Sequence, residues 1–154
     1  MKKWLLLALA LLPACNKAVV HGRERPAEPV TQRYDRPVPE IFAAAKTALS
    51  QLGYEIRDSD ESRGLIRTGW TATRAGSHYT EIFDRKDYGT TGAYYRLDLT
   101  VEEREGKTEV SVAAPVKSLV PHQVSSRREE RKVLSKIADL LRREDFEMTN
   151  VGTE

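Results

Sequence analysis

Apolar and polar positions alternate most cleanly between Tyr95 and Ala114. Tyr95, Leu97, Leu99 and Val101 point one way, and Arg96, Asp98, Thr100 and Glu102 the other. After Glu105-Gly106 the alternation resumes, with Thr108, Val110, Val112 and Ala114 set against Lys107, Glu109, Ser111 and Ala113. A period of two on both sides of a short turn predicts an antiparallel hairpin with one buried and one wet face. Pro115 cannot donate to a ladder, so it belongs at the end of this strand or on a sheet edge. A shorter alternation of Val30, Gln32 and Tyr34 with Thr31 and Arg33 predicts a first strand, ended by Pro37 and Pro39.

The period then changes. Ile41, Ala45, Ala48 and Leu52 share one helical face, flanked by Phe42 and Leu49. Pro39 suits a first helical turn, Glu40 favours the helix N-terminus, and Gly53 supplies the left-handed residue that ends a helix. Tyr54 to Arg57 starts a strand, Asp58 to Gly64 has turn chemistry, and Leu65 to Thr73 reads as the return strand, with Ile66, Thr68, Trp70 and Ala72 on one side. Arg74 to Gly92 is the least regular stretch. A strand near Tyr79 to Asp84 and a long loop are expected there, and long loops in small domains are often functional. Beyond Pro121, Ser126 and Glu129 have capping-box spacing. Val133, Ile137 and Leu140, joined by Leu134, Ala138 and Leu141, form the apolar stripe of a closing helix. Strands not separated by helices pair as antiparallel neighbours. The expectation is an α+β, two-layer sandwich: an antiparallel sheet of about 5 strands with two helices on one face, helix-grip-like.

One segment is not part of that domain. Lys2 and Lys3 precede an apolar run from Trp4 to Leu12, too short for the ~20 residues of a membrane span. It has the length of a signal-peptide core and ends in Leu12-Pro13-Ala14-Cys15. That run resembles a bacterial lipobox, in which the cysteine after the cut takes a diacylglycerol and often a further acyl chain. Pro13 departs from the usual residue at its place. Two or three chains meet the two-signal requirement of stable anchoring. Asn16 after the cysteine implies the outer membrane, periplasm-facing. Residues 1–14 are thus read as signal peptide, 15–29 as lipidated cysteine and flexible spacer lifting the domain off the membrane, 30–146 as one domain and 147–154 as a loose tail.

Composition narrows the function classes. Charged residues make up 31% of the chain, of both signs, with a net charge of +2, which is a solvated surface and not a nucleic-acid footprint. With the sole cysteine acylated, no disulfide forms and the apolar core alone holds the fold.

Val38-Pro39-Glu40-Ile41-Phe42 leading to Ala48-Leu49, then Leu52-Gly53-Tyr54-Glu55-Ile56, then Gly64-Leu65-Ile66-Arg67-Thr68 resembles the repeated unit of NlpB/BamC-like lipoproteins. There a helix ending in a Leu-Gly-aromatic step runs into a strand, an acidic turn and a second strand ending near a tryptophan, here Trp70. Tyr94-Tyr95-Arg96-Leu97, its hairpin partner and the closing helix fit the same unit. The well-known members carry two such units and a long N-terminal segment; this chain has one unit and a short spacer. The resemblance implies a non-enzymatic accessory to the machinery that folds β-barrels into the outer membrane.

Candidate chemistry is sparse. His78, Glu81, Asp84 and Asp87 can each ligate a metal, but on a strand they divide between two faces, and a solvated polar stretch is the simpler reading. The serines lack a nucleophile-elbow context, and Gly89-Thr90-Thr91-Gly92 is too sparse for a phosphate loop. No catalytic residue, metal or cofactor is assigned. Arg74, Tyr79, Phe83, Arg85, Tyr88 and Tyr94 interleave aromatic and basic groups of the kind that anchor interfaces. The competing reading is that Ile82 and Phe83 plug the open end of the sheet. The basic row Arg127, Arg128, Arg131 and Lys132 reads as a solvated helix face. The resulting expectation is a lipid-anchored, protein-binding scaffold with an envelope partner; the alternative is a lipid- or small-ligand-binding module with a cleft under the closing helix.

Overall fold

The structure, a computed structural model, describes residues 22–88 and 92–149, with side chains described as far as Arg143. The signal peptide, Cys15 and residues 16–21 of the spacer lie outside the described residues, as do positions 89–91 and 150–154. In chain order the elements are β1 (Arg23–Arg25), β2 (Val30–Tyr34), α1 (Val38–Gln51), β3 (Ile56–Asp60), β4 (Leu65–Thr68), β5 (Thr71–Ala72), β6 (His78–Ile82), β7 (Arg85–Asp87), β8 (Ala93–Tyr95), β9 (Asp98–Arg104), β10 (Lys107–Ala113), β11 (Val116–Ser118), β12 (Gln123–Ser125) and α2 (Arg128–Thr149).

The expected hairpin is the spine of the fold. Residues 93–118 run up and back through two sheets, as β8–β9 and β10–β11, with Val110 opposite Val101 and Val116 opposite Tyr95. Both strands break at one level, at Arg96-Leu97 and at Ala114-Pro115, where Pro115 has no N–H to give. The neighbouring chains break there too, at residues 26–29 and at Gly69-Trp70. The five-stranded sheet β2-β10-β9-β4-β3 and the four-stranded sheet β1-β11-β8-β5 therefore follow the same chains around a corner. Two bonds carry pairing across it, Arg96 N–H to Pro115 O at 3.2 Å and Thr68 N–H to Leu97 O at 2.9 Å, and Thr73 N–H to Ala93 O at 2.9 Å extends the β5–β8 pairing beyond it. A third sheet, β12-β6-β7, stands beyond the bend.

Both helices cover the same side of the five-stranded sheet. Ile41, Ala45, Ala48 and Leu49 of α1 and Val133 and Ile137 of α2 share one core with Ile66, Leu99, Val101, Val110 and Val112. These side chains are removed from water almost completely, at about 1.5–3 kcal/mol for each large aliphatic group. The small alanines of α1 allow its close approach to the strands. That helix ends as its sequence predicts: Gly53 takes φ +81°, Tyr54 N–H reaches Leu49 O at 2.9 Å and Gly53 N–H reaches Ser50 O at 3.0 Å, the paired bonds of a Schellman motif.

Several expectations need correction. The expected single sheet of about 5 strands is joined by two more, of four and three strands, because the long strands turn a corner and the β6–β7 hairpin pairs with β12. Arg23–Arg25, assigned to the flexible spacer, is a strand paired with β11, Arg23 opposite Ser118. The expected single strand from Leu65 to Thr73 stops at Thr68 because the corner falls there; Ala72 is exposed and only Ile66 and Thr68 face the core. The long loop after Asp84 contains β7, and β12 lies in a stretch given no element. Helix α2 runs to Thr149, past the expected boundary at residue 146. The capping box does not form: Ser126 Oγ donates to Gly76 O at 2.6 Å, and Glu129 turns inward.

Candidate functional site

The predicted aromatic and basic stretch folds into a hairpin. Strands β6 and β7 pair with Glu81 opposite Lys86 and Ile82 opposite Arg85. Phe83 and Asp84 make the turn, both at positive φ, 48° and 60°. Phe83 is 96% exposed. It does not plug the sheet. Tyr79 and Tyr88 pack ring against ring at 5.5 Å, and Lys86 Nζ lies 4.7 Å over the Tyr79 ring. A cation above an aromatic face is attracted by the ring quadrupole.

This pair forms one wall of a cleft of about 560 Å³. The rest of the lining comes from residues 26–28 of the link and from β12, which pairs with β6 alongside Tyr79, together with Ser126 and Arg127. Arg127 donates to Glu28, which holds the link against the start of α2. Gln123 is buried, and its Oε1 has no hydrogen-bond partner.

The six predicted interface residues are thus divided. Tyr79 and Tyr88 line the cleft, while Phe83 and Arg85 stand beyond it on the hairpin turn and β7. Tyr94 lies across the four-stranded sheet from Lys117 and Ala72. There the same outer face carries Trp70, with the Arg96 guanidinium 4.8 Å and Lys117 Nζ 5.8 Å from its ring. Arg74 is exposed between β5 and β6, its backbone bonded to the Ser77 hydroxyl. Gln123, Lys86 and Arg127 were missed as cleft residues. The short run Gln123-Val124-Ser125 after Pro121 was the only local hint of the strand that carries Gln123.

Behind the cleft lies a buried polar network that sequence patterning did not single out. Tyr54 donates to Glu129 Oε2 at 2.8 Å, and the Tyr54 and Tyr95 hydroxyls meet at 2.9 Å. The Tyr54 proton is committed to the carboxylate, so Tyr95 is the donor to Tyr54. Burial pushes both phenols up. The His78 ring packs 5.1 Å from Tyr95, with Nδ1 3.1 Å from Ser77 Oγ and Nε2 3.5 Å from Ala114 O. Burial pushes His78 down, against the opposing pull of Ala114 O and the Glu129 charge. Glu130 is fully buried and neither carboxylate oxygen has a hydrogen-bond partner. Burial pushes this carboxyl up, with the Glu129 charge adding to the effect and the Arg127 charge opposing it. One signal was available: Glu130 lies seven residues before Ile137 and eleven before Leu141, which extends the apolar stripe back onto it.

The four metal-capable residues do not converge. His78 is buried, Glu81, Asp84 and Asp87 are exposed, and among the described residues no group of three acidic, histidine or cysteine side chains gathers around one point. No described helix is long and apolar enough to cross a membrane.

The sequence matches no protein-family model and no curated protein. Among solved structures the chain is similar to Ara h 8.0201, with a TM-score of 0.39 and 9% identity, covering 77% of this chain and 97% of that one.

Proposed function

We propose that this chain is a lipid-anchored, non-enzymatic binding module of the periplasmic face of the bacterial outer membrane. In this reading its fold is helix-grip-like and it serves as an accessory of β-barrel assembly, as the likeness to NlpB/BamC-like lipoproteins suggests. The anchor is Cys15. The observation that carries the binding role is the position of the accessible surface. The space between α2 and the five-stranded sheet is filled by Val110, Val112, Val133 and Ile137, each fully buried. The open cleft lies instead beside the β6–β7 hairpin, lined by Tyr79, Lys86, Tyr88, Gln123 and Arg127. Tyrosine and arginine, here Tyr79, Tyr88 and Arg127, are among the residue types enriched at protein interfaces. The titratable groups suited to acid–base work, His78 and Glu129, are buried and committed to internal partners. That favours binding over chemistry.

The test is affinity capture of the native lipoprotein from gently solubilised membranes. Recovery of a barrel-assembly core protein with the wild type, and its loss with Tyr88→Ala or Lys86→Glu, is the expected outcome. Cys15→Ser is expected to abolish membrane attachment and with it most of the capture, because the tether supplies the effective concentration. Capture unchanged by both cleft variants would defeat the assignment of the cleft.

A second reading rests on Gln123. A buried amide oxygen without a donor, in a cleft within the size range of small-molecule sites, suits a small polar ligand with an N–H or O–H group. Copurification of such a ligand, displaced in Gln123→Leu, would favour it over the protein partner.

A further inference from the structure

The exposed apolar side chains outside the cleft collect at one end of the domain. Strand β12 is antiparallel to β6 with Gln123 opposite Thr80, so the residues before Gln123 lie at the end where β6 runs out through Ile82 to Phe83. Those residues include Leu119, 75% exposed, and Val120; Ile82 and Phe83 are exposed at that same end. The chain enters the domain at this same end. Arg23 is opposite Ser118, and Gly22 lies so close to Ser118 that an added Cβ would stand 2.5 Å from its carbonyl carbon.

Only residues 16–22 separate Cys15 from β1. Seven residues span at most about 25 Å when fully extended. A lipid on Cys15 therefore holds the Leu119 end close to the bilayer and leaves the β9–β10 turn at Glu105-Gly106 far from it, at the other end of the same long strands.

We infer that Phe83, Leu119 and Val120 form a membrane-contacting tip, which inserts into the boundary between headgroups and acyl chains and fixes the orientation of the domain on the leaflet. This rests on the lipid anchor of the proposed function. Charges around the tip are mixed, Arg23 and Arg85 against Asp84 and Glu81, so contact is driven by apolar burial and persists in high salt. The cleft then opens along the membrane surface, within reach of a membrane-embedded partner.

The mature full-length lipoprotein is incorporated into phosphatidylethanolamine/phosphatidylglycerol vesicles. Acylation consumes the thiol of Cys15, so Phe83→Cys, Leu119→Cys and Lys107→Cys each present a single free thiol for an environment-sensitive fluorophore. The expected result is a blue shift and quenching by brominated lipid at positions 83 and 119, unchanged in high salt, with the label at 107 remaining in water. Anchored protein whose labels at 83 and 119 are as wet as at 107 overturns the tip and leaves the anchor standing. Mature protein that carries no lipid by mass and fails to float with vesicles removes the anchor, and the tip with it. Shielding that grows with protein density and vanishes at the lowest density identifies a second copy as the occupant and also overturns the proposal.

Discussion

The Tyr54 hydroxyl stands 2.8 Å from Glu129 Oε2 and links the end of α1 to the first turn of α2 through the interior. Glu129 was expected to cap its own helix from outside. It faces inward because the start of α2 lies over the corner of the sheet, where Tyr95 and Tyr54 supply hydroxyls in sequence. Tyr54→Phe removes the donor and leaves this buried carboxylate without it. The expected loss is about 1–3 kcal/mol, read as a lower urea midpoint. Tyr95→Phe, one bond further from the charge, is expected to cost less.

Two buried groups make stability depend on pH in opposite directions. His78 is held down by burial, so as pH falls below its ordinary 6.5 the unfolded chain takes up a proton that the folded chain does not. Stability is then lost with acid. Glu130 is held up by burial, so above its ordinary 4.5 the unfolded carboxyl gives up its proton first. Stability is then lost as pH rises through that window, up to the folded value. His78→Gln is expected to flatten the acid side of the urea-midpoint profile relative to wild type.

Glu130→Gln removes a buried carboxylate with no hydrogen-bond partner. A gain of about 1–3 kcal/mol at pH 7 is expected, with a flatter profile above pH 4.5. A loss of stability at pH 7 would mean that Glu130 is compensated in the folded protein.

Gly64 turns β3 into β4 at φ +63°, and its carbonyl accepts from Val101 N–H at 2.8 Å. A Cβ there would stand 1.9 Å from Val101 O. Gly64→Ala must strain the backbone and push β4 from β9, at about 1–3 kcal/mol in thermal or urea unfolding.

Val112 is fully buried between β10 and the helices. Val112→Asp places an unpaired charge there and is expected to abolish cooperative unfolding by circular dichroism. Wild-type stability would mean that the inward face of β10 is misassigned.

The contrast between Val112 and Glu130 marks what was legible in the sequence. Period-two alternation identified Leu99, Val101, Val110 and Val112 because their strands bury one whole face, and period 3.6 identified Ile41, Ala48, Val133 and Ile137 for the same reason. The corner was not legible. A strand that crosses it changes surroundings partway, so Trp70 and Ala72 leave the core face that Ile66 and Thr68 keep. Short strands such as β1, β7 and β12, three residues each, carry too few positions for a period. The cleft was legible only in part: Tyr79 and Tyr88 are local in sequence, whereas Gln123 and Arg127 reach them through pairing of β12 with β6, a contact that no local pattern encodes. Glu130 was passed over because an acidic residue in a helical first turn is ordinarily solvated.

Strand β1 has a mechanical consequence. With Cys15 anchored, any force drawing the domain from the membrane loads the three-residue pairing of Arg23–Arg25 with β11 before it reaches the core. Peeling that strand lengthens the leash from residues 16–22 to residues 16–29, from about 25 Å to about 50 Å at full extension. The five-residue pairing of β2 with β10 then takes the load. On the proposed anchor the domain would have two reaches set by one short strand: a docked one with the cleft complete, and an extended one in which Pro26, Ala27 and Glu28 are drawn out of the cleft while the core stays folded.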